Sequence, residues 1–167
     1  MNAEEGLRAL RRRIKLSGAP KRERDDLVTI ATWNIREFGR RRRRPESLRY
    51  IAEIIRQFDL VAIVELRDDL HDFFTVLEHL GPRWARVYSD FIPDAGGNHE
   101  RLGFLFDTTT VEHTGLASQA CPPRKRIDSE YLPQIGWWRP PFIASFKCRG
   151  RELCLVTAHI RWAGDDP

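Results

Sequence analysis

The spacing of apolar residues divides the chain into a polar start, two strand–helix units and a run of strands. In residues 1–26 charges alternate around Leu7, Leu10 and Ile14 at helical spacing, before the break Ser17-Gly-Ala-Pro20. This predicts a short helix in a basic extension outside the core, with Arg11, Arg12 and Arg13 on a solvated face or against nucleic acid. From Leu27 the pattern changes. Leu27-Val-Thr-Ile-Ala-Thr-Trp33 is β-branched and aromatic and reads as a buried strand that ends at Asn34. A loop opened by Gly39 carries five consecutive arginines, Arg40 to Arg44. Pro45 suits a first helical position, and Leu48, Ile51, Ile54, Ile55 and Phe58 form the apolar stripe behind it. Asp59-Leu-Val-Ala-Ile-Val-Glu65 is a second strand. Leu70, Phe73, Phe74, Leu77 and Leu80 share one face of a second helix, stopped by Gly81-Pro82. Short strands are then predicted at 85–91, 101–106, 110–115, 142–147 and 152–159, between loops holding Pro93, Gly96-Gly97 and Pro122-Pro123. That order predicts layered α/β packing, sheets inside and helices outside, over a domain of residues 27–167.

Composition narrows the class. A chain of 167 residues, 41% hydrophobic and 31% charged, has material for a core and a solvated surface, unlike a disordered or collagen-like chain. No apolar run approaches the roughly 18 residues of a membrane helix. A net charge of +4 and a pI near 9.2 favour acidic partners, nucleic acid first. Cys121, Cys148 and Cys154 are odd in number and lack a CxxC pair, against a zinc ribbon or a disulfide framework. Each is expected to be a small buried hydrophobe. The N-terminus has no apolar core of a secretory signal, so a cytoplasmic location is expected.

Three apolar strands end on residues that burial does not explain. Asn34 follows Ile30-Ala-Thr-Trp33, Glu65 follows Val61-Ala-Ile-Val64, and His159 follows Leu153-Cys-Leu-Val-Thr-Ala158. An acid there is costly to bury unless it is paired or binds metal. Singly, each reads as a turn or loop residue. Together, beside basic loops, they are the types that phosphate chemistry uses: a carboxylate for a hard cation, an amide for a phosphate oxygen, and an imidazole for a proton.

The strings Thr32-Trp-Asn-Ile-Arg-Glu-Phe-Gly39, Val64-Glu-Leu-Arg-Asp68, Asn98-His-Glu-Arg-Leu-Gly-Phe-Leu-Phe106 and Leu155-Val-Thr-Ala-His159 resemble, in order, motifs of the endonuclease/exonuclease/phosphatase superfamily. The Asn-Ile-Arg-x-Phe-Gly and Glu-x-Arg-Asp forms resemble its deoxyribonuclease I branch. The resemblance implies a four-layer α/β/β/α sandwich and a Mg²⁺- or Mn²⁺-dependent phosphodiesterase, a DNA endonuclease. It implies Glu65 as the metal carboxylate and Asn34 as the amide beside metal and phosphate. His159 would be the acid–base histidine, with Glu100 orienting it. Arg36 and Arg67 would contact DNA, at the backbone and near the minor groove. Arg40 and Arg41, leaving directly from the Asn34 motif, are further backbone candidates, the alternative being a solvated arginine loop. Pro122-Pro-Arg-Lys-Arg126 is a lesser basic tract. Trp137-Trp138 with Arg139-Pro-Pro141 reads as aromatic packing at a strand start, or as a stacking surface for bases.

The chain departs from that branch at Asn98-His99, where an aromatic and a lysine are expected, and at Ser145, where an arginine is expected. The superfamily's later Gly-Asp-x-Asn-like and Ser-Asp-His segments do not occur, and Asp165-Asp166 read as loop. Because such domains run to about 250 residues, the chain is expected to be a C-terminally truncated domain lacking part of its active site. His71, His79, His99 and His113 show no ligand spacing and receive no role. Two rivals stay open: a phosphatase or phospholipase of the same superfamily, and a non-catalytic basic module that binds nucleic acid through its arginine tracts.

Overall fold

In the computed structural model, which describes residues 2–18, 27–91, 99–120, 126–127, 130–131 and 139–160, the two strand–helix units build one mixed sheet. Its strands are β1 (Ile30–Phe38), β2 (Leu60–Leu66), β3 (Trp84–Tyr88) and β4 (Arg101–Asp107), in the order β1-β2-β4-β3. β1 and β2 are parallel, joined through α2 (Pro45–Ile55), and β4 runs antiparallel to both its neighbours β2 and β3. α3 (His71–Leu80) packs beside α2. The second sheet is antiparallel, β5 (Val111–Gln119), β8 (Phe142–Cys148) and β9 (Arg151–Thr157), in the order β5-β8-β9. Two-residue strands β6 (Arg126–Ile127) and β7 (Glu130–Tyr131) pair with each other and were not foreseen.

Strand alternation assigns the core. β2 is buried on both faces, as its unbroken apolar run requires. Val61, Ile63 and Leu66 meet Leu48, Ile51, Ile55, Phe73 and Val76 of the helices. Leu60, Ala62 and Val64 face the second sheet, where Phe104, Phe106, Phe142 and Phe146 interlock, the Phe104–Phe146 ring centres 5.3 Å apart. On β4, Leu105 joins the helix side while Leu102, Phe104 and Phe106 fill the seam. Gly103 takes the remaining helix-side position because a Cβ there would lie 2.9 Å from the Tyr88 Cβ. The result is helix, sheet and sheet, stacked in that order, three layers of the expected sandwich.

Boundaries moved in places. β1 begins at Ile30 and continues past Asn34 to Phe38, so Asn34 lies within a strand. β9 ends at Thr157, two residues before His159. The N-terminal helix, α1 (Ala3–Leu16), forms behind an Asn2–Glu5 capping box, and none of its residues enters either core cluster. It docks on α2 through a two-pronged Arg11–Glu53 pair, Nε and Nη2 each 3.0 Å from a carboxylate oxygen. Cys148 is buried in the seam, as expected, but Cys154 is exposed. Leu153 and Leu155 take the inward positions of β9, which turns the residue between them out. Cys121, the Pro122–Lys125 tract, Asn98, Trp137-Trp138 and Asp165-Asp166 lie outside the described residues. Among the described residues, no helix is long and apolar enough to cross a membrane.

Candidate active site

Sheet direction brings five chain segments to one edge. β1 and β2 are parallel and deliver Asn34, where their register breaks, beside Glu65, near the C-terminal end of β2. β4 is antiparallel to β2, so the start of β4, and Glu100 just before it, lies at the same edge. In the facing sheet, Phe142 of β8 pairs with Thr157 of β9, which places Arg139 and His159 together just beyond.

Glu65 is turned into the site by a slip in the pleat. Val64 faces the seam, and the next residue should face the helices, yet it is Leu66 that does so. The register breaks here in both pairings of β2. Glu65 absorbs the break with φ 64°, a left-handed conformation that costs a non-glycine residue roughly 1–2 kcal/mol. Two donors hold its carboxylate: Asn34 Nδ2 donates to Oε1 at 2.6 Å and the Glu37 N–H donates to Oε2 at 2.6 Å. Burial alone would push the Glu65 carboxyl up. The hydrogen bonds from Asn34 and Glu37, with the charges of His159 and Arg139, outweigh it and hold the group below the usual carboxylate range.

His159 bridges the two carboxylates. Its Nδ1 lies 2.9 Å from Glu100 Oε2 and its Nε2 3.4 Å from Glu65 Oε1. Arg139 Nη1 sits 2.9 Å from the same Nδ1 and 3.2 Å from Glu100 Oε2. The assignment that satisfies all three groups has the Nδ1–H donating to Glu100 and Arg139 donating to Glu100, which leaves Nε2 facing Glu65. Glu100, only 5% exposed, is clamped on its other oxygen by Arg67 Nη1 at 3.2 Å. A buried carboxylate needs such partners, and here it has two guanidiniums and an imidazole.

The predicted residues therefore separate. Asn34, Glu65, Glu100 and His159 converge. Arg67 is turned onto Glu100, with its side chain 14% exposed. Arg40 is ion-paired to Glu37, Arg42 to Asp69 and Asp72, and Arg43 donates to the Ile35 and Arg36 carbonyls. The side chains of Arg36, Arg41 and Arg44 are exposed and make no hydrogen bond or ion pair among the described residues. Arg139 was missed as a site residue. Its signal was an Arg-Pro-Pro placed directly before a strand, and an arginine was instead sought at Ser145. Ser145 points away from the seam and accepts from Thr114 Oγ1 at 2.6 Å. Gly39 holds the loop close: its φ is 101°, and a Cβ would come within 2.0 Å of the Asp69 carbonyl oxygen.

Among the described residues no three His, Cys, Asp or Glu side chains are arranged to hold a metal ion. Mg²⁺ asks for less, one or two carboxylates completed by water and phosphate oxygens. The Glu65 carboxylate, held ionised and backed by the Asn34 amide, fits that requirement.

Residues 31–153, well over half the chain, match the model of the endonuclease/exonuclease/phosphatase family. The chain belongs to this family. Solved structures agree on the fold. An endonuclease/exonuclease/phosphatase from Bacteroides vulgatus aligns with a TM-score of 0.52 and 17% identity over 77% of this chain and 51% of its own. A family protein from Bacteroides thetaiotaomicron aligns with a TM-score of 0.54 and 18% identity over 83% of this chain and 52% of its own. A mannosyl-6-phosphatase of the same organism gives 0.50 and 19% identity over 78% of this chain and 50% of its own. The chain thus spans about half the length of these structures. No curated protein matches it with significance. Endonuclease/exonuclease/phosphatase proteins are hydrolytic enzymes, and the converging edge just described falls largely inside the matched span, with His159 a few residues beyond it.

Proposed function

We propose that this family member is a divalent-metal-dependent phosphodiesterase acting on DNA as an endonuclease. The observation that supports this best is His159 bridging Glu65 and Glu100, 3.4 Å from one carboxylate and 2.9 Å from the other. In this reading Glu65 and Asn34 hold Mg²⁺ or Mn²⁺, which when bound supplies charge neutralisation at the phosphate oxygens. Glu100 fixes the ring of His159, and His159 carries a proton at Nε2 to the departing oxygen. Arg139 and Arg67 keep Glu100 ionised in place and add positive potential where negative charge develops. Arg36 and Arg41, exposed at the rim, meet the backbone of the strand.

The test is nicking of supercoiled DNA by the protein containing this segment, in Mg²⁺ and in EDTA, for the native sequence and for Glu65→Ala and His159→Ala. Metal-dependent nicking that falls at least a hundredfold in both variants is expected. Equal nicking by all three proteins would refute the site. Release of inorganic phosphate from sugar, inositol or lipid phosphates without any DNA nicking would replace the nuclease reading by a phosphatase one. DNA binding without either reaction would leave only the basic module.

A further inference from the structure

A second carboxylate-oriented histidine stands beside the first. His99 Nδ1 lies 2.9 Å from Asp68 Oδ2, the same arrangement that His159 makes with Glu100. The two pairs are neighbours in the chain on both sides. Asp68 follows Arg67, His99 precedes Glu100, and Arg67 and Glu100 are themselves joined at 3.2 Å.

The frame around His99 is braced from three directions. Its ring stacks on Phe91, with centres 5.0 Å apart and planes 28° from parallel. The Arg101 guanidinium carbon lies 4.7 Å from the centre of the same Phe91 ring. Arg101 Nη1 also donates to the Arg67 carbonyl at 3.2 Å, which ties the segment carrying Asp68 to the start of β4. His99 itself has φ 37°, a left-handed backbone that a residue other than glycine keeps only where its surroundings impose it. Its side chain is nevertheless 37% exposed. This anchored and stacked imidazole, one residue from the candidate site, lies at the surface and not in the core.

We infer that Asp68–His99 is a phosphate-reading pair: His99 donates from Nε2 to the phosphate next to the one being cleaved, and Asp68 positions the ring for it. With Nδ1–H given to Asp68, Nε2 is the only hydrogen-bonding atom the ring has left. The ring donates there in its doubly protonated form, in which both nitrogens carry N–H, one for Asp68 and one for the phosphate. The ligand is a phosphodiester of a polynucleotide, so the pair extends recognition by one unit along the strand. His159 meets the first phosphate at Nε2, beside the metal that Glu65 and Asn34 would hold, and the exposed Arg36 and Arg41 add charge without direction. This inference rests on the phosphodiesterase reading of that first site.

The experiment follows the imidazole resonances of the ¹⁵N-labelled chain in Mg²⁺ during titration with the trinucleotide TpTpT, whose own spectrum is followed for cleavage. His159 reports the first phosphate and His99 the second. Both are expected to move along one saturation curve while His71 stays still. Asp68→Asn is expected to weaken binding read at His159 roughly tenfold, and His99→Ala to do the same. His99→Gln, which retains an N–H donor, is expected to recover part of the loss. A shift at His159 with His99 unmoved, or full affinity in His99→Ala, overturns the pair and leaves the first site standing. No shift at either histidine overturns the phosphodiesterase reading, and the pair falls with it.

Discussion

Glu65→Gln isolates what the site does to a carboxylate. The substitution keeps size, shape and the φ of 64°, so the backbone strain is common to both proteins and cancels. It removes the charge that accepts from Asn34 Nδ2 and from the Glu37 N–H, each at 2.6 Å. A glutamine offers one oxygen and one amide. The oxygen must stay on the Glu37 N–H, which cannot turn, and Asn34 must flip its amide to present an acceptor. Both bonds then survive as neutral ones, which are weaker by about 0.5–1 kcal/mol each. The expected loss is about 1–2 kcal/mol at pH 7, measured by urea unfolding in EDTA. The pH dependence carries the sign. A carboxyl whose folded pKa is lowered contributes stability that is complete above its unfolded pKa and is lost as pH falls through the folded value. The gap between the two proteins should therefore be present at neutral pH and close below about pH 4. A gap that does not change with pH would refute the reasoning, and so would no gap at pH 7.

Arg67→Ala and Arg41→Ala should fail differently if the arginines divide as their contacts show. Arg67→Ala leaves one oxygen of buried Glu100 unclamped, so it should lower kcat in the nicking assay and destabilise by about 3 kcal/mol. Arg41→Ala should leave kcat alone, raise KM, and reduce the slope of log affinity against log salt by about one. Phe146→Ala empties a fully buried site that touches Phe104, Phe106 and His113, and should cost about 3–5 kcal/mol in urea unfolding. Gly39→Ala forces a methyl to within 2.0 Å of the Asp69 carbonyl oxygen, and should lower the melting temperature by several degrees and blur the amide spectrum of the Glu37–Arg44 loop. Glu53→Gln removes the carboxylate whose pKa the Arg11 hydrogen bond lowers, and should quicken amide exchange across Ala3–Leu16 several-fold at neutral pH. Unchanged exchange would show that α1 stays docked without the pair.

The elements were legible because their apolar periods are clean. The helix behind Pro45, the stop at Gly81 and the doubly buried β2 all follow from local pattern. The convergence of Asn34, Glu65, Glu100 and His159 was legible only through the motifs, since no local rule places residue 159 within 2.9 Å of residue 100. What escaped was pairing and direction. A run of five arginines reads as free charge, yet Arg40, Arg42 and Arg43 are tied to Glu37, to Asp69 and Asp72, and to backbone carbonyls. Those acids lie on a different segment in all but one case, so a one-dimensional charge count cannot cancel them. Arg139 was hidden for the converse reason: its partners Glu100 and His159 both come from other segments of the chain. The left-handed turn at Glu65 was equally invisible, because glutamate gives no sign of a positive φ.

The inward turn of Arg67 and Arg139 has a consequence for how such an edge works. Glu100 is nearly buried, and a lone carboxylate there would be neutralised or exposed sooner than remain ionised. Two guanidiniums make its charge tenable, and the charged Glu100 in turn gives His159 a fixed acceptor at Nδ1. With Glu65 held ionised by Asn34 and Glu37, the two carboxylates balance the two guanidiniums, so neither acid stands on the edge as an uncompensated charge.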